Sequence, residues 1–292
     1  MAILVVGEAI VDVFQWGSEV VRRPGGSPTN VAVGLARLGH PVFELTYLGN
    51  DSNGQLLRDH LRAAGVREFP GALVAPASSV ANVSINAAGD AEYEFSIEWD
   101  VPTTIDWTGI TLVHVGSVAI ALGPGAEHLL TLLRERPAGV RVTVDPNIRS
   151  AFLPTAEAAA RLEPFFELAD LVKLSDEDAA ALYPGVPPET LLARLLGSGP
   201  SIVALTRGAK GALLAARDAL VEVSAEPTSI VDTVGAGDSF MAALISAVVE
   251  SGAWSPRPSE LRMFGEQAAR AAAFTVSRSG AELPTRADLG SG

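Results

Sequence analysis

Short runs of β-branched and aliphatic residues alternate with Ala- and Leu-rich stretches of helical period along most of the chain. Brief uninterrupted apolar runs between turn signals read as strands buried on both faces. Apolar positions recurring every three or four residues read as amphipathic helices. The strands predicted this way are 3–6, 43–48, 112–118, 141–145, 171–174 and 202–206. The helices are 28–38, 54–64, 127–134, 155–168, 176–182, 188–196, 238–251 and 260–277. The first helix has Pro28 just inside its start and Gly39 just past its end, the usual asymmetry of helix termini. Strands and helices in alternation imply an α/β sandwich: a mostly parallel sheet covered by helices on both faces.

Two segments break the rhythm. Residues 10–21 and 80–98 alternate with a period of two, as in Val80, Asn82 and Ser84 against Ala81, Val83 and Ile85. The second reads as a hairpin turning at residues 87–90. Strands inserted between β-α units do not join a parallel core easily, so a small separate sheet is expected. It would either lid the mouth of a site and exclude water, or merely decorate the surface. With no internal repeat and no low-complexity linker, residues 1–292 read as one domain carrying lid strands near 10–22 and 80–100.

Composition narrows the function classes. Of 292 residues, 48% are hydrophobic and 19% charged, which fits a well-packed globular chain. A net charge of −13 without any basic cluster argues against nucleic acid and anionic membrane as partners. The absence of cysteine excludes disulfides and thiolate metal sites. Residues 107–126 lack Asp, Glu, Lys and Arg, yet Gly109, His114, Gly116, Gly123 and Pro124 interrupt them. They read as a buried strand, a turn and a helix start, not as a membrane span. The opening residues lack the basic start and long apolar region of a signal peptide, so a cytoplasmic location is expected.

The most informative stretch is 232–245. Gly235-Ala236-Gly237 turns directly into an apolar helix, with Asp238 at the junction. The first N–H groups of a helix lack internal partners and carry partial positive charge, so a small-residue turn there cradles an anion. A carboxylate beside such a cradle reads as a proton acceptor next to a phosphoryl group. Upstream, Gly25-Gly26 precedes another helix start, and Asn30 has the donors and acceptor to read vicinal hydroxyls; a plain turn with a cap is the alternative. Asp12 follows the first strand, where ligands of open α/β sheets bind, and is either a sugar-hydroxyl acceptor or a solvated turn residue.

Three further strand ends carry polar residues. Asp145-Pro146-Asn147-Ile148-Arg149 offers a planar cation for a phosphate or a substrate oxygen. Lys173-Leu174-Ser175-Asp176-Glu177-Asp178 is either a favourable first helical turn or a place where Glu177 or Asp178 holds hydrated Mg²⁺. Thr206-Arg207-Gly208-Ala209-Lys210-Gly211 flanks a nucleotide or forms a β-turn. There is no Gly-x-x-x-x-Gly-Lys-Ser/Thr loop, no dinucleotide fingerprint, no Gly-x-Ser-x-Gly elbow and no metal-ligand spacing of histidines.

Together these positions resemble the ribokinase-like carbohydrate kinases, the phosphofructokinase B type. Gly25, Gly26, Pro28, Asn30, Gly39 and Gly49 match the amino-terminal signature, and residues 232–245 match the carboxy-terminal one. The resemblance implies a sandwich with a β-sheet lid and ATP-dependent phosphorylation of a sugar or nucleoside alcohol. It implies Asp238 as general base and the N–H groups of Gly235, Ala236 and Gly237 as the anion hole. Asp12, Gly25, Gly26, Asn30, Phe95 and Arg149 then fall at the substrate. Lys173, Ser175, Thr206, Gly208 and Gly211, with Gly235 and Gly237, fall on the ATP side. Asp178 is implied near Mg²⁺, and Asp232 near a monovalent cation such as K⁺. Ser175 in place of the family's asparagine, and Asp145-Pro146-Asn147-x-Arg149, point to the fructokinase branch. Ribokinase, nucleoside kinase, 2-keto-3-deoxygluconate kinase and a non-catalytic sugar-binding regulator are the alternatives. A homodimer joined through the lid strands is expected, because their edges would otherwise be exposed.

Overall fold

The computed structural model describes residues 1–16, 19–85, 91–148 and 155–290. The chain opens with β1 (Ala2–Val6), β2 (Ile10–Trp16), β3 (Glu19–Gly25) and α1 (Ser27–Arg37). Next come β4 (Val42–Leu45), β5 (Leu48–Gly49), α2 (Ser52–Ala63), β6 (Arg67–Glu68), β7 (Val74–Ala75), β8 (Val80–Ile85) and β9 (Ala91–Ser96). The middle holds β10 (Ile110–Gly116), α3 (Gly125–Arg134), β11 (Arg141–Asp145), α4 (Thr155–Leu168), β12 (Leu171–Ser175), α5 (Asp176–Leu182) and α6 (Pro188–Ser198). It ends with β13 (Ile202–Thr206), β14 (Ala212–Ala216), β15 (Ala219–Val223), α7 (Ala236–Ser251) and α8 (Pro258–Val276).

Nine strands form the main sheet in the order β15-β14-β13-β12-β11-β10-β1-β4-β6. All its pairings are parallel except β13–β14 and β14–β15. Successive residues of β1 feed opposite cores, as a strand buried on both faces requires. Leu4 and Val6 join Leu129, Leu162, Phe165 and Leu195 from α3, α4 and α6. Ile3 and Val5 join Leu35, Leu244 and Phe264 from α1, α7 and α8. Connections leaving β1 and β10 therefore pack on opposite faces, and the crevice between their carboxyl ends is where ligands of such sheets bind.

The expected second sheet is present as β3-β2-β8-β9, with β3 and β9 at its edges. Its base is tied to the body where Val11 packs with Leu48 and Leu57. The turn expected at 87–90 lies outside the described residues. Two strand expectations need correction. Residues 43–48 are not one strand: pairing with β1 stops at Leu45, and β5 pairs separately with β7. Residues 117–120 leave the strand for a 3₁₀ turn, in which Ser117 has φ 54°. Among the described residues no helix is long and apolar enough to cross a membrane.

Helices α1 and α7 run side by side in the same direction, and Gly34 sets their separation. A Cβ there would lie 2.8 Å from Ala242 Cβ and 2.8 Å from Leu283 Cδ2. One turn earlier on both helices, Asn30 meets Asp238. The far end of α1 is strapped by the last segment: Arg37 Nη1 donates to the Leu283 carbonyl, and the Arg286 guanidinium reaches the Leu38 carbonyl and the Glu250 carboxylate.

The first turn of α1 is also fixed to the sheet, because Thr29 Oγ1 donates to Glu44 Oε1 at 2.6 Å. Glu44 is fully buried and its Oε2 has no hydrogen-bond partner. Burial pushes its carboxyl up to about 8, with Glu8 and Glu68 adding to the rise. The folded state thus keeps a proton that the unfolded chain gives up above its ordinary carboxylate value. This contribution to stability is complete in acid and is lost as pH rises through about 8. Glu44→Gln, neutral throughout, is expected to melt close to wild type at about pH 5 and above it at about pH 9. Equal differences at both pH values in thermal melts would show that Glu44 does not titrate in this way.

Candidate active site

The cradle at the start of α7 is built by close approach. Gly235 has φ 78°, and a Cβ on it would sit 2.6 Å from Ala281 Cβ. Asp232 braces the approach, its Oδ2 accepting from Gly280 N at 2.9 Å and its Oδ1 from Val234 N at 3.0 Å. These amides hold the Asp232 carboxyl below its usual range. Of the expected anion-hole amides, that of Ala236 leans back on the Thr233 carbonyl at 3.3 Å, and the regular ladder begins with Ser239 N to Gly235 O at 2.8 Å. N–H groups ahead of that point face out of the helix end, where its dipole favours an anion.

Asp238 stands one residue beyond the cradle and is buried. Asn30 Nδ2 donates to its Oδ2 at 2.7 Å, and Ser27 Oγ donates to its Oδ1 at 2.6 Å. Gly26 makes this meeting possible. It has φ 104°, a conformation disfavoured for L side chains, and a Cβ on it would lie 2.5 Å from the Glu8 carbonyl oxygen. Gly25 is constrained from the second sheet: a Cβ there would be 2.6 Å from Asp12 Oδ2. Asp12, Gly25, Gly26, Asn30 and Asp238 therefore line one edge, with β2 of the second sheet leading into it. Phe95 lies half-buried on β9, in register with Ala81. Arg149 lies outside the described residues.

On the other side of the cradle stands a buried ion pair. Lys173 Nζ donates to Asp145 Oδ2 at 2.8 Å, and both residues are almost fully buried. A Cβ on Gly237 would be 3.0 Å from Lys173 Nζ, which puts the ammonium beside the cradle. Burial alone would lower the Lys173 pKa, but Asp145, Asp178 and Asp238 together hold it above the ordinary lysine value. Burial raises the Asp145 carboxyl against the pull of Lys173, and its Oδ1 has no partner.

Asp178 is buried and engaged. Its Oδ2 accepts from Ser175 N at 2.9 Å and Ser175 Oγ at 2.7 Å, and its Oδ1 from Ile148 N at 2.7 Å. Ser175 and Asp178 thus form the capping box of α5 and anchor the loop after β11, where Asn147 takes φ 35°. Among the described residues no group of three His, Cys, Asp or Glu side chains is arranged to hold a metal. Mg²⁺ binds through few carboxylates and keeps its waters, so the partnerless Asp145 Oδ1 suits it, with Asp178 behind. Thr206 ends β13, its hydroxyl donating to the Leu174 carbonyl at 3.3 Å. Gly208 and Gly211 turn the chain with φ 53° and 78°, closed by Arg207 N to Gly211 O at 2.7 Å.

The sequence reading did not assign Ser27, Asp145 or Glu8 to the site. Glu8 is buried under Gly26, accepts from Ala119 N at 3.2 Å, and is raised by burial to about 7. Asp145 was legible as a strand-end acid. Nothing in the sequence pairs Ser27 with a residue 211 positions away.

Comparison with known proteins identifies the family. The family model described as pfkB family carbohydrate kinase matches residues 2–288. A fructokinase of Rhizobium leguminosarum bv. trifolii is 31% identical over 259 residues, covering 84% of this chain and 79% of that protein. The structure of a Xylella fastidiosa fructokinase with bound ATP superposes with a TM-score of 0.88 at 25% identity, over 99% of this chain and 96% of that one. A double mutant of the Vibrio cholerae O395 fructokinase, bound to fructose, ADP and potassium ion, superposes with a TM-score of 0.83 at 26% identity, over 99% and 97%.

Proposed function

Because the chain belongs to the pfkB family of carbohydrate kinases, and so is an ATP-dependent sugar phosphotransferase, we propose that it phosphorylates a hydroxymethyl group of fructose. One observation carries this reading: the buried Asp238 carboxylate at the phosphate-cradling end of α7, fixed by two donors from the sugar-side helix. Phosphoryl transfer requires an in-line hydroxyl, a proton acceptor and neutralised charge. Asp238 takes the hydroxyl proton, and the amides around Gly235, Ala236 and Gly237 receive the migrating phosphoryl. Asp12, Gly25, Gly26, Asn30 and Phe95 are assigned to the sugar's other hydroxyls, and the family resemblance assigns Arg149 to the substrate as well.

Lys173, Ser175, Thr206, Gly208 and Gly211 are assigned to the ATP side. The exposed Ile230, Val231 and Val234 before the cradle give a nucleobase apolar surface. Mg²⁺, when bound near Asp145 and Asp178, supplies charge neutralisation on the phosphates. Asp232 and the loop to Gly280 are assigned to a monovalent cation. The lid edges β3 and β9 are proposed as the pairing surface of a homodimer. Fructose as substrate is supported by the fructokinase relative and by the Ser175 and Asp145-Pro146-Asn147 pattern.

A coupled ADP-release assay over fructose, ribose, nucleosides and 2-keto-3-deoxygluconate tests the substrate. The highest kcat/KM is expected with fructose. A higher value on another member reassigns it, and no ADP release with any of them returns the chain to a sugar-binding regulator.

A further inference from the structure

The carboxylate that accepts the proton is gripped on both oxygens by a single turn of α1. Asn30 takes Oδ2 at 2.7 Å and Ser27 takes Oδ1 at 2.6 Å. The Ser27 hydroxyl is more than nine-tenths buried with the rest of its residue, and 2.6 Å is the length of a charge-assisted O–H···O⁻ bond. A donor to the ionised form of a carboxyl favours that form. Two donors on opposite oxygens also stop the carboxylate from turning.

Charged groups of both signs stand near Asp238. Lys173 on β12 attracts, but it is tied at 2.8 Å to Asp145 on β11, which repels, and Asp178 on α5 adds negative charge beyond. The parallel starts of α1 and α7 add positive dipole ends that act in the same sense as the two donors. The two donors from α1 touch the carboxylate directly, at hydrogen-bond distance.

Building on the reading of Asp238 as the base, we propose that Ser27 is a positioning residue: its hydroxyl keeps the Asp238 carboxylate ionised into the acid range and aimed at the sugar hydroxyl. The proton still passes from sugar to Asp238; Ser27 neither gains nor loses one. Because Ser27 acts on the base and not on the sugar, its removal acts on kcat and on the acid limb more than on KM.

The test is kcat/KM against pH with saturating ATP for wild type, Ser27→Ala, Ser27→Thr and Asp238→Asn. Ser27→Ala is expected to move the acid limb up by about one pH unit and to lower kcat about tenfold, with sugar KM within about threefold. Ser27→Thr, which keeps the hydroxyl, is expected to restore the limb. Should Ser27→Ala not fold, Ser27→Cys, nearly isosteric with a weak donor, carries the same expectation. An acid limb unmoved in the folded variant overturns the proposal. Turnover retained by Asp238→Asn overturns the assignment of the base itself, a separate failure.

Discussion

Asp238→Asn is expected to cut kcat by roughly 10²–10⁴ while sugar binding stays within a few-fold of wild type. The asparagine side chain keeps the shape of the carboxylate but cannot accept a proton at neutral pH. It can be housed with little strain. Its carbonyl oxygen can face Asn30 Nδ2, and the Ser27 hydroxyl can rotate from donating to accepting from the new amide. The variant should therefore melt near wild type, which separates lost chemistry from lost folding. Single-turnover phosphorylation together with sugar titration checks both halves. Turnover near the wild-type rate would remove the base from Asp238.

The second large effect concerns Lys173. Lys173→Met leaves the buried Asp145 carboxylate without its 2.8 Å partner, and breaking a buried pair from one side costs about 3–5 kcal/mol. Adding Asp145→Asn removes the stranded charge, so the double variant is expected to recover most of that loss in urea denaturation. Activity should not follow. The Lys173 ammonium lies beside Gly237 at the start of α7, and neither replacement restores its charge there. Recovery of stability without recovery of kcat assigns the Lys173–Asp145 pair to the phosphate side, through the ammonium or through the Mg²⁺ proposed at Asp145. Joint recovery would make it only a strut.

Much of the fold was legible because burial on both faces of a parallel sheet leaves its mark on the sequence. Strands β11 and β13 begin and end where the apolar runs do, and so do helices α4 and α5. The antiparallel pair β14 and β15 was not seen. Ala212-Leu-Leu-Ala-Ala has no β-branched residue, and its strand form comes from its neighbours β13 and α8, not from its own propensity. The cradle was legible from its glycines, since only small residues tolerate the approach of Ala281 and Lys173. The acids at Asp145 and Asp178 were harder to interpret. Their roles depend on which donors tertiary packing brings to them, Lys173 for one and Ser175 with the Ile148 amide for the other. The Ser27–Asp238 contact likewise exists only once α1 and α7 lie side by side.

That side-by-side packing also orders events during synthesis. Asp238 finds its two donors 211 and 208 residues back along the chain, and the strap on α1 comes later still, from Leu283 and Arg286. A nascent chain emerging at about 5–20 residues per second waits many seconds between α1 and the residues that complete its packing. During that interval the apolar flank of α1, including Val31 and Leu35, has no α7 to cover it. The pairing of Asp238 with α1 thus waits until translation of this stretch is nearly over.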